Sequence, residues 1–188
     1  MKTTFSIRLP ERFSLTAVIS SHGWRHLAPF NSVRSGESLF YVDRLPSGTV
    51  YRLAIWEGEG QLTVEVEGPE PGQDLPRIKS RVSWMLGLEQ NFADFYERVA
   101  QEPKLKHVIE QHKGRLLRSS TVFEDLIKTI LTTNTSWGGT IRMVDNLVGR
   151  LGASCSHNPD QRAFPCPGVI AECAEAELRG EVKLGYRA

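Results

Sequence analysis

The chain has 188 residues, 40% of them hydrophobic, and a formal net charge of +1. That composition suits one ordinary globular domain, or one plus part of another; it excludes a disordered chain and leaves the class of partner open. No run approaches the roughly 18 apolar residues of a membrane span, and the start "MKTTFSIRLPERF" lacks an apolar signal-peptide core, so the sequence reads as soluble and intracellular.

The first third reads as strands. "TTFSIRLP" suits an edge strand, and "SLTAVISSHGWRHL" has the apolar positions of a helix laid on a sheet. "LFYVDRLPSGTVYRLAIWE" is two strands joined by a Pro-Ser-Gly turn, and "QLTVEVEG" alternates Leu62, Val64 and Val66 inward with Thr63, Glu65 and Glu67 outward. Together residues 36–68 form an antiparallel meander with one wet face. Residues 57–74 carry six acids and no base. "GPEPGQDLP" then reads as a linker, after which the periodicity changes to that of helices. The fold class is therefore α+β: an antiparallel sheet domain with a helix over residues 1–74, then a helical domain over residues 75–188. Helices are expected at 77–86, 90–101, 104–111, 121–133, 136–151 and 168–178, and no strand is expected among them. Residues 104–118 hold five bases against Glu110 alone, a face that either meets phosphate or is simply solvated.

Between the helices at 121–133 and 136–151 lie five small polar residues, Thr132, Thr133, Asn134, Thr135 and Ser136. On one side Val122, Phe123, Leu126, Ile127, Ile130 and Leu131 recur at the spacing of one helical face. On the other Trp137, Ile141, Val144, Val148 and Leu151 do the same, which places Trp137 in the core. Two core helices thus meet at a polar elbow. Thr121 and Glu124 have the spacing of a capping box, and Ser136 can cap the second helix. Asn134 tolerates the left-handed conformation of a tight turn. As a turn, the elbow needs nothing further. As a site, it offers an exposed amide with both donor and acceptor.

The three cysteines, Cys155, Cys166 and Cys173, are odd in number and not closely paired, which suits reduced thiols. Cys155, His157 and Cys166 match no zinc spacing, so no metal is expected, and no cofactor either.

From "VFEDLIKTILTTNTSWGGTIRMVDNLVGRLG" through "FPCPGVIAECAEAELR" to "LGYRA", the chain resembles the helix-hairpin-helix DNA glycosylases of base-excision repair, which include the 8-oxoguanine and 3-methyladenine enzymes. The likeness in pattern is strongest to the 8-oxoguanine branch and its bacterial relatives. The shared elements are a capped helix that begins at Phe123-Glu124, an elbow with an asparagine, a second helix that runs to Gly152, a Phe164–Pro167 start to a short helix, and the final pentapeptide. The small sheet ahead of the helical part is also a family feature.

The resemblance implies a hydrolase or lyase acting on double-stranded DNA that contains an oxidised or alkylated purine, in the cytoplasm at the nucleoid, with DNA-binding residues Asn134, Thr135, Ser136, Tyr186 and Arg187. Asn134 would enter the gap left by a nucleotide rotated out of the stack, Tyr186 would stack beside it, and Arg187 would touch the estranged base. Gly139 stands where the eukaryotic 8-oxoguanine enzymes carry a cytosine-recognising arginine. The family's Gly-rich hairpin, catalytic aspartate and lyase-type lysine have no counterpart in residues 1–188, so no catalytic residue is nominated and the helical domain is expected to be incomplete. The apolar faces of the two elbow helices would in the family be partly covered by later helices. The alternative is a non-catalytic module that binds distorted or damaged DNA.

The expected outcome for residues 1–188 alone is no base release from oxidised or alkylated duplex DNA and no covalent complex on borohydride trapping. Base release that a substitution within these residues abolishes would refute it.

Overall fold

The computed structural model describes residues 1–32, 37–156 and 158–188. Gly36, the expected start of the meander, and His157 of the rejected ligand set lie outside them. Chain order gives β1 (Lys2–Arg8), α1 (Leu15–Ile19), β2 (Phe30–Ser32), β3 (Ser38–Arg44), β4 (Val50–Gly58), β5 (Gln61–Glu67), α2 (Leu75–Leu86), α3 (Ala93–Ala100), α4 (Lys106–Glu110), α5 (Val122–Leu131), α6 (Trp137–Leu151), β6 (Ser154–Cys155), β7 (Asn158–Arg162), α7 (Pro167–Ala171) and α8 (Glu175–Gly180).

The first five strands make one antiparallel sheet in the order β1-β5-β4-β3-β2, with β1 on the edge. Leu62, Val64 and Val66 are buried as the alternation requires. They join Leu39, Tyr41, Leu53 and Ile55 on a face covered by α1 and by Ile78, Val82, Met85 and Leu86 of α2. This core crosses residue 74, and the linker is tied down: the Tyr51 hydroxyl reaches Pro69 O at 3.0 Å and Asp74 Oδ2 at 2.8 Å. Burial and the Asp74 carboxylate push that phenol up to about 12. The opposite face is wet along Lys2–Glu65 and Arg52–Glu67 pairs. Elsewhere Cys155 of β6 and Ala163, the residue after β7, pack onto Val42 and Val50.

That β6–β7 hairpin departs from the all-helical expectation. Its residues Asn158–Arg162 include a proline and are mostly polar, so they carry no alternation to read. The helix expected over "SLTAVISSHGWRHL" stops after five residues. A 3₁₀ turn, Gly23–His26, follows, with His22 Nδ1 accepting from Trp24 N at 3.1 Å. The expected helix 168–178 is two short ones, α7 and α8, separated by Ala174 in extended conformation. The basic stretch 104–118 is not one face: Arg115 is buried and donates to Gly87 O and Gln90 O, while Arg118 stacks on Trp84 at 4.4 Å.

The second core gathers Leu27, Leu131, Met143, Val144, Leu147, Val148, Phe164, Leu178 and Val182. It is joined to the sheet by buried charges. Glu124 and Lys128 of α5 are 2% and 0% exposed and pair at 2.6 Å. Tyr41 of β3 donates to Glu124 at 2.6 Å. Ser120 donates to Asp43 at 2.9 Å, and Arg81 pairs with the same carboxylate at 2.5 Å. Burial pushes Glu124 up and Lys128 down, and each partner's charge opposes the shift of the other.

This arrangement corrects two readings of α5. Thr121 Oγ1 does cap Glu124 N at 3.2 Å, but the Glu124 carboxylate does not reach back to complete a capping box; it turns inward to Lys128 and Tyr41. With the charged flank inside, part of the apolar stripe faces out: Val122, Leu126 and Ile130 are 66%, 56% and 40% exposed.

Removing one partner of a buried pair leaves an uncompensated charge. Lys128→Met should therefore lower unfolding free energy by about 3–5 kcal/mol in urea titrations at pH 7. The Glu124→Gln/Lys128→Met double variant, which removes the stranded charge but keeps an acceptor for Tyr41, should recover most of that loss. A double variant no better than the single would show that the pair's charges do not govern this junction.

Candidate nucleic-acid interface

The elbow follows from its residues. Thr132 and Thr133 close α5 by returning their hydroxyls to Thr129 O and Ile130 O, each at 2.7 Å. Asn134 takes the left-handed conformation that its residue type tolerates, with φ 46°. Ser136 caps α6 by accepting from Gly139 N at 3.2 Å. Thr135 leans over Gly139, where an added Cβ would stand 2.3 Å from its hydroxyl oxygen. A side chain at 139 would push the threonine aside.

The C-terminal pentapeptide lies against this elbow. Asn134 Nδ2 donates to the Tyr186 hydroxyl at 3.2 Å, and Thr133 Oγ1 is 3.3 Å from the same oxygen. Arg187 stacks on the Tyr186 ring, 4.3 Å from its centre, and donates to Thr133 O and Thr133 Oγ1. Tyr186 nevertheless remains 59% exposed. The Thr133 hydroxyl, then the Asn134 amide and more weakly the Arg187 charge, hold its phenol below the usual range. So Asn134, Tyr186 and Arg187, separated by about fifty residues of sequence, form one exposed cluster. Thr135 and Ser136 border it, with the Ser136 oxygen already engaged as a cap.

Trp137 departs from expectation. It is 40% exposed and lies across Gly23, where an added Cβ would stand 2.3 Å from the indole ring. Register alone put it in the core; in fact the N-terminal turn of α6 projects past the second core, and the indole covers the 3₁₀ turn instead. Trp24 of that turn donates from Nε1 to Asp125 at 2.7 Å, fixing it to α5.

Beside the cluster is a cleft of about 450 Å³ between α6 and the segment that follows α8. It contains Arg142, Lys183 and Arg187 and no acidic residue. Charge patterning along the sequence missed Arg142 and Lys183. The readable hint was the Gly138-Gly139 pair one turn ahead of Arg142, which leaves the helix surface bare beside a base. Cys155, Cys166 and Cys173 are free thiols, and no group of three potential metal ligands occurs among the described residues. No helix among them is long and apolar enough to cross a membrane.

No protein-family model and no curated protein sequence matches the chain. Solved structures do. The 3-methyladenine DNA glycosylase from Archaeoglobus fulgidus is similar with a TM-score of 0.76 at 20% identity, over 96% of this chain and 61% of that one. The 8-oxoguanine glycosylase/lyase of Clostridium acetobutylicum in its apo form gives 0.55 at 15% identity, over 86% and 63% of the two chains. The same enzyme in complex with double-stranded DNA containing cytosine opposite 8-oxoguanine gives 0.54 at 15% identity, over 86% and 62%. The fold is that of DNA glycosylases, as the motifs led one to expect, and the chain spans less than two thirds of the length of these structures.

Because Asn134 is left-handed, alanine is a poor probe of its side chain. Asn134→Ala should be less stable than Asn134→Gly by about 1 kcal/mol, since only glycine enters that region without a Cβ penalty. Equal urea midpoints for the two variants would show that the elbow relaxes out of this conformation.

Proposed function

We propose that the chain is the recognition portion of a DNA glycosylase that removes damaged purines, oxidised or alkylated, from duplex DNA. The observation that carries this reading is the joining of Asn134 to Tyr186 at an exposed elbow, with Arg187 stacked on the same ring. An enzyme that works on a base inside a duplex must first take it out of the stack, at a cost of a few kcal/mol. Side chains that fill the vacated space offset that cost. In this reading the Asn134 amide enters the gap, the Tyr186 ring offers its exposed face to a neighbouring base, and Thr135 and Ser136 flank the backbone at the point of entry.

Cleavage of the glycosidic bond builds positive charge on the sugar, which a carboxylate must stabilise. Asp125 is committed elsewhere: its Oδ1 accepts from Trp24 Nε1 and from Ser119 N at 3.0 Å. No residue of this chain is assigned to that step, and the chemistry belongs to the whole protein's proposed activity.

Asn134→Gly preserves the backbone and deletes the amide. It should weaken binding to an abasic-site duplex relative to undamaged duplex by about 1–3 kcal/mol, the worth of a good contact to a base edge. Thr135→Ala should change that ratio much less. Fluorescence anisotropy with the two duplexes measures both; an unchanged ratio in Asn134→Gly would make the elbow only a turn.

A further inference from the structure

The guanidinium expected to face DNA is the one the protein already holds. Arg187 directs Nε and Nη2 to Thr133 and Nη1 to the Met143 sulfur at 3.7 Å. It braces the end of α5 and the Tyr186 ring. The cations without a hydrogen bond or ion pair among the described residues of this cleft are Arg142 and Lys183. We propose that these two form a phosphate clamp for duplex DNA beside the elbow, each holding a backbone phosphodiester oxygen. The inference rests on the DNA-binding reading above and adds to it the residues that carry the electrostatic contact.

Both are placed by their surroundings. Side chains on a helix lean toward its N-terminus. Arg142 accordingly folds back over Gly138, its Nη1 3.6 Å from where a Cβ on that glycine would be, toward Thr135 and the elbow. Larger residues at 138 and 139 would occupy this path. Lys183 adopts a left-handed backbone, φ 65°, unusual for a residue with a Cβ. Its neighbours force it: Val182 and Leu184 are buried, Asn146 Nδ2 donates to Val182 O at 3.1 Å, and Leu184 N donates to Leu178 O at 3.0 Å. The lysine is left pointing out between two anchored residues. Nearby acids are turned away or engaged, since Asp145 lines a separate cleft beside β2 and β3 and Glu181 pairs with Arg150.

A surface with two free cations, a third fixed one and no acid suits an anion. A phosphodiester beside a helix-to-helix elbow positions the duplex without reading its sequence. That division predicts a specific signature, because each neutralised phosphate contributes about 0.9 to the slope of log affinity against log salt concentration.

The test is a salt titration of the full chain, from 50 to 200 mM, against abasic-site and undamaged duplexes. Arg142→Gln/Lys183→Gln should flatten the slope by roughly 1–2 on both, so that affinity falls about 4- to 16-fold less across the range than it does for the unsubstituted chain. The preference for the abasic site should not change. Lys79→Gln/Arg98→Gln, which removes the same charge from exposed positions on α2 and α3, should leave the slope unaltered. An unchanged slope in the cleft variant, or an equal effect of the control pair, overturns the clamp while leaving the elbow reading intact. A changed site preference with an unchanged slope would make the pair base readers and overturn the clamp as well. If the unsubstituted chain binds neither duplex, the DNA-binding reading itself falls, and the clamp with it.

Discussion

The pairing of Glu124 with Lys128 inside the molecule fixes how α5 is turned. Two charges one helical turn apart cannot be buried separately; they must lie on the same inward flank and meet. The Tyr41 hydroxyl, rising from the sheet to Glu124, then locks the helix to β3. Once that flank is inside, Leu131 follows it into the second core, and Val122, Leu126 and Ile130 are left on the outer edge. The direction in which α5 ends is set at the same moment. Its last turn carries Thr132 and Thr133 to the surface, so the elbow emerges where the C-terminal segment can reach it.

That constraint is why the sequence misleads about α5. Its apolar residues recur with helical spacing, and periodicity takes such a stripe as the buried face. A salt bridge between charged residues four apart looks the same in the sequence whether it is solvated or fully enclosed. Only the partners Tyr41, Phe30 and Phe164, distant along the chain, distinguish the two cases. Where a single local rule decides, the sequence was readable: the alternation in β5 and the Thr121 and Ser136 caps appear as their residue types favour, and Asn134 takes the left-handed conformation its type tolerates. The β6–β7 hairpin and the broken run after α1 were not, because tertiary contacts support backbone that has no pattern of its own.

The candidate site divides in the same way. Asn134 could be singled out locally, as a polar residue at a turn between two apolar helices. That Tyr186 and Arg187 would lie on it came only from likeness to a family. Neither route identified Arg142 and Lys183, because what sets them apart is a place beside the elbow with no partner in the cleft among the described residues, and only the fold brings position 183 to α6. In one dimension Arg115, Arg118 and Arg187 look equally available; the fold engages those three with carbonyls, a tryptophan ring and the elbow.

The capacity left on Asn134 bears on what it can do. A primary amide has two N–H donors and a carbonyl oxygen that accepts. One donor is given to the Tyr186 hydroxyl, and among the described residues no bond engages Oδ1. What remains is one donor beside one acceptor, held at an exposed turn whose backbone is already fixed. An orphaned base needs that combination at its pairing edge, and the hydrogen bond to Tyr186 limits the side chain's rotation before any ligand arrives. The entropy of ordering the amide is then met in folding rather than in binding. The same bond ties the position of the Tyr186 ring to that of the Asn134 amide. On the function proposed above, a duplex that engages one would meet the other in place, and the bond between them is what an ordinary turn with an asparagine in it lacks.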